Sequence, residues 1–303
     1  MTEFIQQLFN GLSLGSIYAL IALGYTMIYG ILRFINFAHG DVFMVGAFSG
    51  YYLAMVFGFT SSSGIVSILI ALGILICSMV ICSVLGFTIE KLAYKPLRSA
   101  PKLTILITAI GVSLFLEYTG QLVFGADPKS FPTLIENTPA LNLSGAVIGT
   151  VPVVVLVTAL VLMYVLRLVV MKTKIGTAMR ALSYNQTAAS LMGININKVI
   201  SFTFIIGSSL AAAAGMLYGL NYPSIDPLMG ILPGIKAFVA AVLGGIGNIP
   251  GAALGGMIIG LLETFVVGYI SPAYRDAIAF GILILILLFK PTGILGTKEI
   301  EKV

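Results

Sequence analysis

Five ionisable side chains lie within apolar stretches of this 303-residue chain and are the first candidates for chemistry. They are His39, Asp41, Glu117, Lys236 and Glu263. A charge at the centre of a bilayer costs about 2.5 to 3.5 kcal/mol on insertion scales, so each group needs a partner or a function. Intramembrane carboxylates can relay protons, bind a coupling ion or meet the ammonium group of a substrate. An ion pair with Lys236 is the plainer interpretation.

The position of each group narrows its role. His39 and Asp41 closely follow Asn36, and a structural network that fixes this turn is favoured over a gate. Glu117 and Glu263 are expected in the outer halves of their segments, where they could neutralise Lys236 or meet a substrate ammonium. Apolar walls with few polar groups suit a zwitterionic aliphatic amino acid, but they also suit a lipid-facing bundle or passage of urea.

Catalytic, metal and cofactor sites are not indicated. His39 is the only histidine, and residues 207–210 read Gly-Ser-Ser-Leu, which is not the GxSG of an intramembrane serine protease. Cys77 and Cys82 do not have metal-ligand spacing and are expected to pack as small hydrophobic residues. No Gly-Lys pair occurs, so the chain lacks a P-loop for ATP. We expect a non-enzyme that binds no cofactor of its own.

The composition indicates where these residues must lie. Hydrophobic residues make up 59% of the chain, charged residues 9%, and the mean hydropathy is +1.09, values typical of a polytopic membrane protein rather than a soluble domain. The net charge of +5 requires no nucleic-acid partner, because basic residues beside the membrane contact anionic lipid. We expect an all-α chain forming one transmembrane domain over residues 1–303.

Apolar runs of about 20 residues predict about nine membrane segments, with eight as the alternative. They cover residues 8–32, 36–58, 65–87, 103–124, 151–171, 199–220, 232–246, 252–270 and 277–289. The seventh is short and bounded by glycines, so it could be re-entrant. Glu3 and the lack of an early basic residue argue against a cleaved signal peptide, so the first segment is expected to be retained.

The basic residues predict the orientation, because Lys and Arg accumulate in cytoplasmic loops. With the N-terminus outside and the C-terminus inside, all but three of the 16 basic residues are cytoplasmic. Those expected inside are Arg33, Lys91, Lys95, Arg98, Lys102, Arg167, Lys172, Lys174, Arg180, Lys198, Lys290, Lys298 and Lys302. The exceptions are Lys129, Lys236 and Arg275. Residues 125–150 then form an external loop, expected to be irregular.

Residues 172–198 form a polar, basic cytoplasmic loop between two apolar segments. A short surface helix is predicted over 177–192, and Gly193 is placed for a left-handed cap. Periodicity alone favours an interfacial helix packed on lipid or on the bundle over a docking element.

Glycines at G-x-x-x-G spacing permit close helix packing. The pairs are Gly11 and Gly15, Gly247 and Gly251, Gly251 and Gly255, and Gly256 and Gly260. Ordinary packing explains each pair. The cluster over 244–260 with Pro250 indicates a broken helix that could line a pathway. Together with the ionisable groups, the candidate pathway or gate residues are Asn36, His39, Asp41, Glu117, Lys236, Gly244, Gly245, Gly247 and Glu263.

Short motifs in the loop and beyond it resemble a known family. The loop contains AAxxxG from Ala188 to Gly193, preceded by RAxxxN from Arg180 to Asn185 and closed by Gly-Ile-Asn ending at Asn195. It resembles the coupling loop of bacterial ATP-binding-cassette (ABC) importer permeases, with Thr187 where a glutamate is commoner. Three longer stretches resemble the branched-chain amino-acid branch of these permeases: INFAHGDVFMVGAF (35–48), KAFVAAVLGGIGNIPGAALGG (236–256) and KPTGILG (290–296). The likeness extends to the opening NGLSLGSIYALIALGYTMIYG and the final EKV.

The resemblance implies an ABC importer permease fold and a defined set of partners. They are a homologous second permease, two cytoplasmic ATPases that carry ATP and Mg²⁺, and an external binding protein for leucine, isoleucine and valine. The implied location is the bacterial cytoplasmic (inner) membrane. The residues implied in coupling to the ATPase are Arg180, Asn185, Ala188, Ala189, Gly193 and Asn195.

Two other functions remain open from the residues themselves. An ion-driven secondary transporter would use carboxylates such as Glu117 and Glu263 and would work as a single chain. An ABC permease for another small solute, such as urea, would present similar walls.

Overall fold

The computed structural model describes residues 2–57, 65–143 and 146–296. These ranges form eleven α-helices: α1 (Thr2–Leu32), α2 (His39–Val56), α3 (Ile65–Ile89), α4 (Lys102–Phe124), α5 (Thr150–Lys172), α6 (Lys174–Tyr184), α7 (Gln186–Leu191), α8 (Ile196–Asn221), α9 (Ile231–Gly244), α10 (Ile249–Tyr269) and α11 (Arg275–Phe289). Lys298, Lys302 and the final EKV lie outside the described residues, as does the predicted segment end at residue 58.

Each predicted membrane segment coincides with a helix. In the described ranges, seven helical stretches are long and apolar enough to cross a membrane. The remaining two predicted segments coincide with α2, which has 18 residues, and α9, which has 14 and is shorter than the roughly 20 residues of a full crossing. The structure of this polytopic helical membrane protein is therefore compatible with eight or nine membrane segments. The seventh predicted segment is short, as the sequence indicated, because α9 has only 14 residues.

Long helices α1 and α8 form the centre of the bundle. Most of both is buried, whereas α3, α4, α5 and α11 expose much of their apolar surface. In a membrane protein these exposed apolar faces contact lipid or another membrane subunit. The inner layer is filled by large side chains such as Tyr18, Phe43, Phe48 and Phe204.

Glycines let α1 and α10 pack backbone to backbone. A Cβ added at Gly15 would lie 2.8 Å from the Cα of Met257, and one at Gly260 would overlap the backbone of Gly15. The G-x-x-x-G pair of Gly11 and Gly15 therefore lies against that of Gly256 and Gly260. Packing, the explanation preferred from sequence, is confirmed for these two pairs.

Residues 125–150 are more regular than predicted. Strand β1 (Lys129–Ser130) pairs antiparallel with β4 (Ser224–Ile225), and β2 (Pro139–Leu143) pairs with β3 (Ala146–Gly149). The prediction of a wholly irregular loop was wrong, because proline is tolerated at the first residue of a strand and Pro139 begins β2.

Candidate functional site

The loop after α5 is built from two helices rather than the single helix predicted over 177–192. The Thr173 hydroxyl accepts a hydrogen bond from the Gly176 amide at 3.1 Å and starts α6. Asn185 ends α6, and its Oδ1 accepts from the Ala188 amide at 2.9 Å, which starts α7. Asn is a strong N-cap because its side chain satisfies an amide that has no partner within the helix. The break at Asn185 therefore corrects the single-helix prediction.

Gly193 ends α7 in the left-handed conformation that was predicted. Its φ is +81°, its amide donates to Ser190 O at 3.0 Å, and the Ile194 amide donates to Ala189 O at 3.1 Å. These two bonds form a Schellman cap. Asn195 then caps α8 by accepting from the Lys198 amide at 3.1 Å. The motif residues thus fix the geometry of the loop.

One face of the loop is anchored to the bundle and the other is exposed. Ala189 is buried, and the Gln186 amide group donates to Ile31 O, at the end of α1, at 2.7 Å. Tyr184, Leu191 and Met192 are 90%, 84% and 83% exposed. We name these three side chains the α6–α7 patch, because all belong to the same loop, and large apolar side chains exposed on well-capped helices suit an interaction surface.

Arg180 lies on the exposed side of α6. Its guanidinium contacts the Met171 sulfur at 3.2 Å and the Thr177 hydroxyl at 3.3 Å. Within the described ranges it forms no ion pair, so its charge remains available to an acidic partner or to lipid.

Lys236 and Glu263 meet in the interior, as one prediction from sequence proposed. Lys236 Nζ lies 3.1 Å from Glu263 Oε1 and 2.6 Å from Asp276 Oδ1. The Tyr18 hydroxyl donates to Glu263 Oε2 at 3.0 Å, and the Arg275 side chain also donates to Glu263. Glu263 is fully buried, and both its oxygens accept hydrogen bonds. This arrangement favours a structural ion-pair network over a free site for a substrate ammonium.

The predicted turn network around Asn36 is present in part. Asn36 Oδ1 accepts from the Tyr94 hydroxyl at 2.5 Å, and the His39 amide donates to Asn36 O at 3.2 Å. The His39 ring is fully buried and stacks edge-on to Tyr25 at 4.8 Å between ring centroids. Neither ring nitrogen has a hydrogen-bond partner among the described residues. The backbone turn is thus fixed by Asn36, while the imidazole is held by packing.

Helix α2 begins about two turns before the end of α1 rather than beside that end. A Cβ at Gly24 would overlap the His39 ring. Gly24 precedes Leu32, the last residue of α1, by about 12 Å at 1.5 Å per residue. The start of α2 also contacts the start of α9, because a Cβ at Gly40 would lie 2.7 Å from Gly230 O. Two short helices therefore start within the bundle.

Asp41 and Glu117 are brought together at the start of α2. Asp41 is buried and accepts a hydrogen bond from the Ser113 hydroxyl, and Glu117 lies beside it on α4. In the described structure, no hydrogen bond or ion pair joins this carboxylate pair to the network of Lys236 and Glu263. The ionisable candidates thus form two separate groups.

Gly244, Gly245 and Gly247 form the turn between α9 and α10. Gly245 and Gly247 have φ of +104° and +93°, which glycine adopts without strain. The Ile294 and Leu295 amides donate to Leu243 O at 2.8 Å and Gly244 O at 3.0 Å. The segment 290–296 therefore caps α9, so two of the stretches quoted for the family resemblance contact each other.

A third cluster of charged residues, around Glu90, was not predicted from the sequence. Glu90, fully buried in a π-helical turn (Glu90–Tyr94) after α3, accepts from Arg98 and from the Ser201 hydroxyl at 2.7 Å. Arg98 also donates to Asn197 Oδ1 at 2.5 Å. The signal was present, because an acidic residue at the end of an apolar run eight positions before an arginine requires a partner.

The three exceptions to the basic-residue pattern all have partners. Lys236 and Arg275 contact Glu263. Lys129 donates to the Tyr52 hydroxyl at 2.9 Å, and this hydrogen bond raises the pKa of Lys129. Its ammonium also lies over the Tyr52 ring at 5.2 Å from the centroid. An acidic partner therefore offsets the charges of Lys236 and Arg275, whereas Lys129 is held by aromatic contacts.

No cluster of three or more His, Cys, Asp or Glu side chains suited to a metal ion occurs in the ranges that the structure describes. Cys82 is buried, with its sulfur 3.8 Å from Val42 O, whereas Cys77 is exposed. Cys82 packs inside the bundle as a small hydrophobic residue, as predicted, whereas Cys77 lies on an outward, apolar face of α3.

Comparison with known proteins identifies the family. Residues 7–287 match the model described as branched-chain amino acid transport system / permease component. The permease BraD of Pseudomonas aeruginosa is 44% identical over 99% of this chain and 98% of its own length. LivH of Escherichia coli gives the same three values, and the probable permease LivM of Methanocaldococcus jannaschii is 27% identical over 89% of this chain and 80% of its own. The chain belongs to the family of branched-chain amino acid transport system permease components.

Proposed function

We propose that this chain is the membrane permease subunit of an ABC importer for leucine, isoleucine and valine. The relatives BraD and LivH, named as high-affinity branched-chain amino acid permeases, match over nearly the whole chain and support this substrate class. Transport would proceed by alternating access, in which helix packing changes between two states.

The observation that carries the mechanism is the exposed apolar patch on α6 and α7. Tyr184, Leu191 and Met192 project from a loop whose backbone is fixed by the caps at Asn185 and Gly193. A rigid element transmits force, whereas a flexible one would dissipate it. The Gln186 bond to the end of α1 gives that force a route into the bundle.

ATP hydrolysis belongs to separate subunits in this proposal. The sequence contains no Gly-Lys pair and hence no P-loop. ATP and Mg²⁺ would be bound by two partner ATPases, one of them docked on the α6–α7 patch. The chain itself would act as a non-enzymatic transport subunit without a cofactor.

The proposed orientation is N-terminus outside and C-terminus inside a bacterial cytoplasmic membrane. It puts the α6–α7 loop on the side that contains ATP. The acidic partners of Lys236 and Arg275 support it, because the charges of two of the three residues that break the basic-residue rule are offset locally.

A second, homologous permease would complete the pathway. Side chains such as Tyr18, Phe43 and Phe204 fill the centre of this chain, which favours a passage formed between two subunits. Similarity to proteins named LivH and LivM supports a pair of related permeases. Solute would arrive from an external binding protein. Asp41 and Glu117 are the ionisable groups least committed to internal ion pairs and are the preferred pathway candidates.

The test is uptake of labelled leucine into proteoliposomes containing the permease pair and ATPases, with binding protein outside and ATP inside. We expect saturable uptake that unlabelled valine and isoleucine suppress and urea does not. Uptake of urea with indifference to leucine would replace the proposed substrate class with another small solute.

A further inference from the structure

A cleft of about 520 Å³ opens between the end of α3 and the start of α8. Its apolar wall contains Phe87, Phe202 and Ile205. Phe87 continues a stripe of exposed apolar residues on α3 that includes Val80 and Val84. These positions recur at three- and four-residue spacing, so they share one outward face of α3. The cleft opens on this apolar face, the kind of face that lipid contacts in a membrane protein.

The polar end of the cleft is strongly basic. Lys91, Lys95 and Lys198 line it, and all three side chains are exposed. Lys91 continues the lipid-facing stripe one turn beyond Phe87, with its ammonium 5.7 Å from the centroid of that ring. In the described ranges none of the three lysines pairs with an acid.

The acidic residue in the cleft does not oppose this charge. Glu90 is fully buried and is bonded to Arg98 and Ser201. Arg98 neutralises its carboxylate, so three uncompensated positive charges remain at the rim. A basic rim above an apolar wall at the membrane edge matches a molecule with an anionic head and a hydrocarbon tail.

We propose that this cleft is a binding site for an anionic phospholipid. The phosphate lies among Lys91, Lys95 and Lys198, and one acyl chain lies along Phe87 and Ile205. In the orientation proposed above, the lipid belongs to the cytoplasmic leaflet. Binding requires only the cleft and the membrane, so it holds whatever solute the permease carries.

The test is native mass spectrometry of the full-length chain titrated with dioleoyl phosphatidylglycerol. The variant K91Q/K95Q/K198Q keeps side-chain length and removes the three charges. Its matched control is K102Q/K172Q/K174Q, which removes three exposed charges outside the cleft lining. We expect lipid binding to weaken about tenfold or more in the first variant and to stay unchanged in the second.

Two further measurements distinguish the binding of a whole anionic phospholipid from the binding of a phosphate group alone. Ile205→Trp fills the apolar wall without changing charge and should weaken the binding of phosphatidylglycerol several-fold. Dioleoyl phosphatidylcholine and soluble glycerol phosphate should bind poorly and should not displace phosphatidylglycerol. If K91Q/K95Q/K198Q unfolds more readily than the wild type in phosphatidylcholine, the binding of phosphatidylglycerol is compared in the single variants K198Q and Ile205→Trp instead.

Unchanged phosphatidylglycerol binding in K91Q/K95Q/K198Q would overturn the proposal. Equal losses in both triple variants would also overturn it, because they would indicate general attraction to a basic surface. Efficient displacement by glycerol phosphate would show a free-phosphate site instead of a lipid site.

Discussion

Glu263 and Lys236 form an ion pair inside the bundle, with 3.1 Å between Glu263 Oε1 and Lys236 Nζ. The pair joins α10 to the short helix α9, and Tyr18 on α1 donates to the same carboxylate. Since α9 is shorter than a membrane crossing, these contacts hold it at a fixed position against two long helices.

Replacing Glu263 with Gln should therefore destabilise the fold. The change leaves Lys236 with Asp276 as its only acidic partner among the described residues and removes the charge that Arg275 contacts. Loss of one member of a buried pair costs about 3 kcal/mol. Denaturant unfolding in detergent would measure the change in the free energy of unfolding.

Asp276→Asn is the matched control, because Asp276 contacts the same lysine but its side chain is 46% exposed. Its removal should cost about 1 kcal/mol or less. Equal stability of Glu263→Gln and the wild type would contradict a structural role for the network.

Gly260→Ala should disrupt the contact between α1 and α10. The added Cβ would overlap the backbone of Gly15, and neither backbone can move without shifting a helix. Overpacking of this kind costs about 1 to 3 kcal/mol, which thermal unfolding of the purified chain would detect.

The control for that substitution is Gly111→Ala, at a helical glycine whose added Cβ meets no atom within 4 Å in the described structure. It should leave stability unchanged or raise it by up to about 1 kcal/mol, because alanine favours helix. A larger loss at Gly111 than at Gly260 would refute the close-packing account.

Gly193→Val should weaken docking of the ATPase. A β-branched residue is strained at φ of +81°, so the Schellman cap would open and Leu191 and Met192 would lose their fixed positions. Asn tolerates the left-handed region, so Gly193→Asn should retain coupling. Co-purification of the ATPase with each variant would compare them, and equal recovery of ATPase with the valine variant would argue against the cap.

The double substitution Leu191→Ser and Met192→Ser should lower the affinity for the ATPase about tenfold or more. Both side chains are largely exposed, and a few side chains at the centre of an interface supply most of its binding energy. Ser190→Ala changes an exposed neighbour on the same helix and should have no effect. Surface binding measurements with permease in nanodiscs would show the difference, and unchanged affinity in the double variant would place the ATPase contact elsewhere.

The membrane segments were predictable because long apolar runs have few alternatives in a bilayer. The left-handed cap at Gly193 was also predictable, since glycine at that position ends a helical pattern. Asn185 was harder to interpret, because the residues around it favour helix. Its extended backbone and the bond from the Ala188 amide to its side chain show that one helix has become two.

The ion network was predicted only in part, because sequence spacing does not tell which helices meet. Lys236 and Glu263 were paired from their shared need for a partner, whereas Asp276 and Arg275 join them through the packing of α11 against α9 and α10. Arg275 offered a signal, since a basic residue on the unexpected side of a membrane usually requires compensation. The approach of Glu117 to Asp41 had no such signal, because two acidic side chains do not compensate each other's charge.

The most direct test of a permease driven by separate motors compares two proteoliposome preparations. One contains this chain with its second permease and ATPases, supplied with binding protein and ATP, and the other contains this chain alone under a proton or sodium gradient. We predict leucine uptake in the first that stops when ATP or the ATPases are omitted, and none in the second. Gradient-driven uptake by the chain alone would contradict the account and identify a secondary transporter.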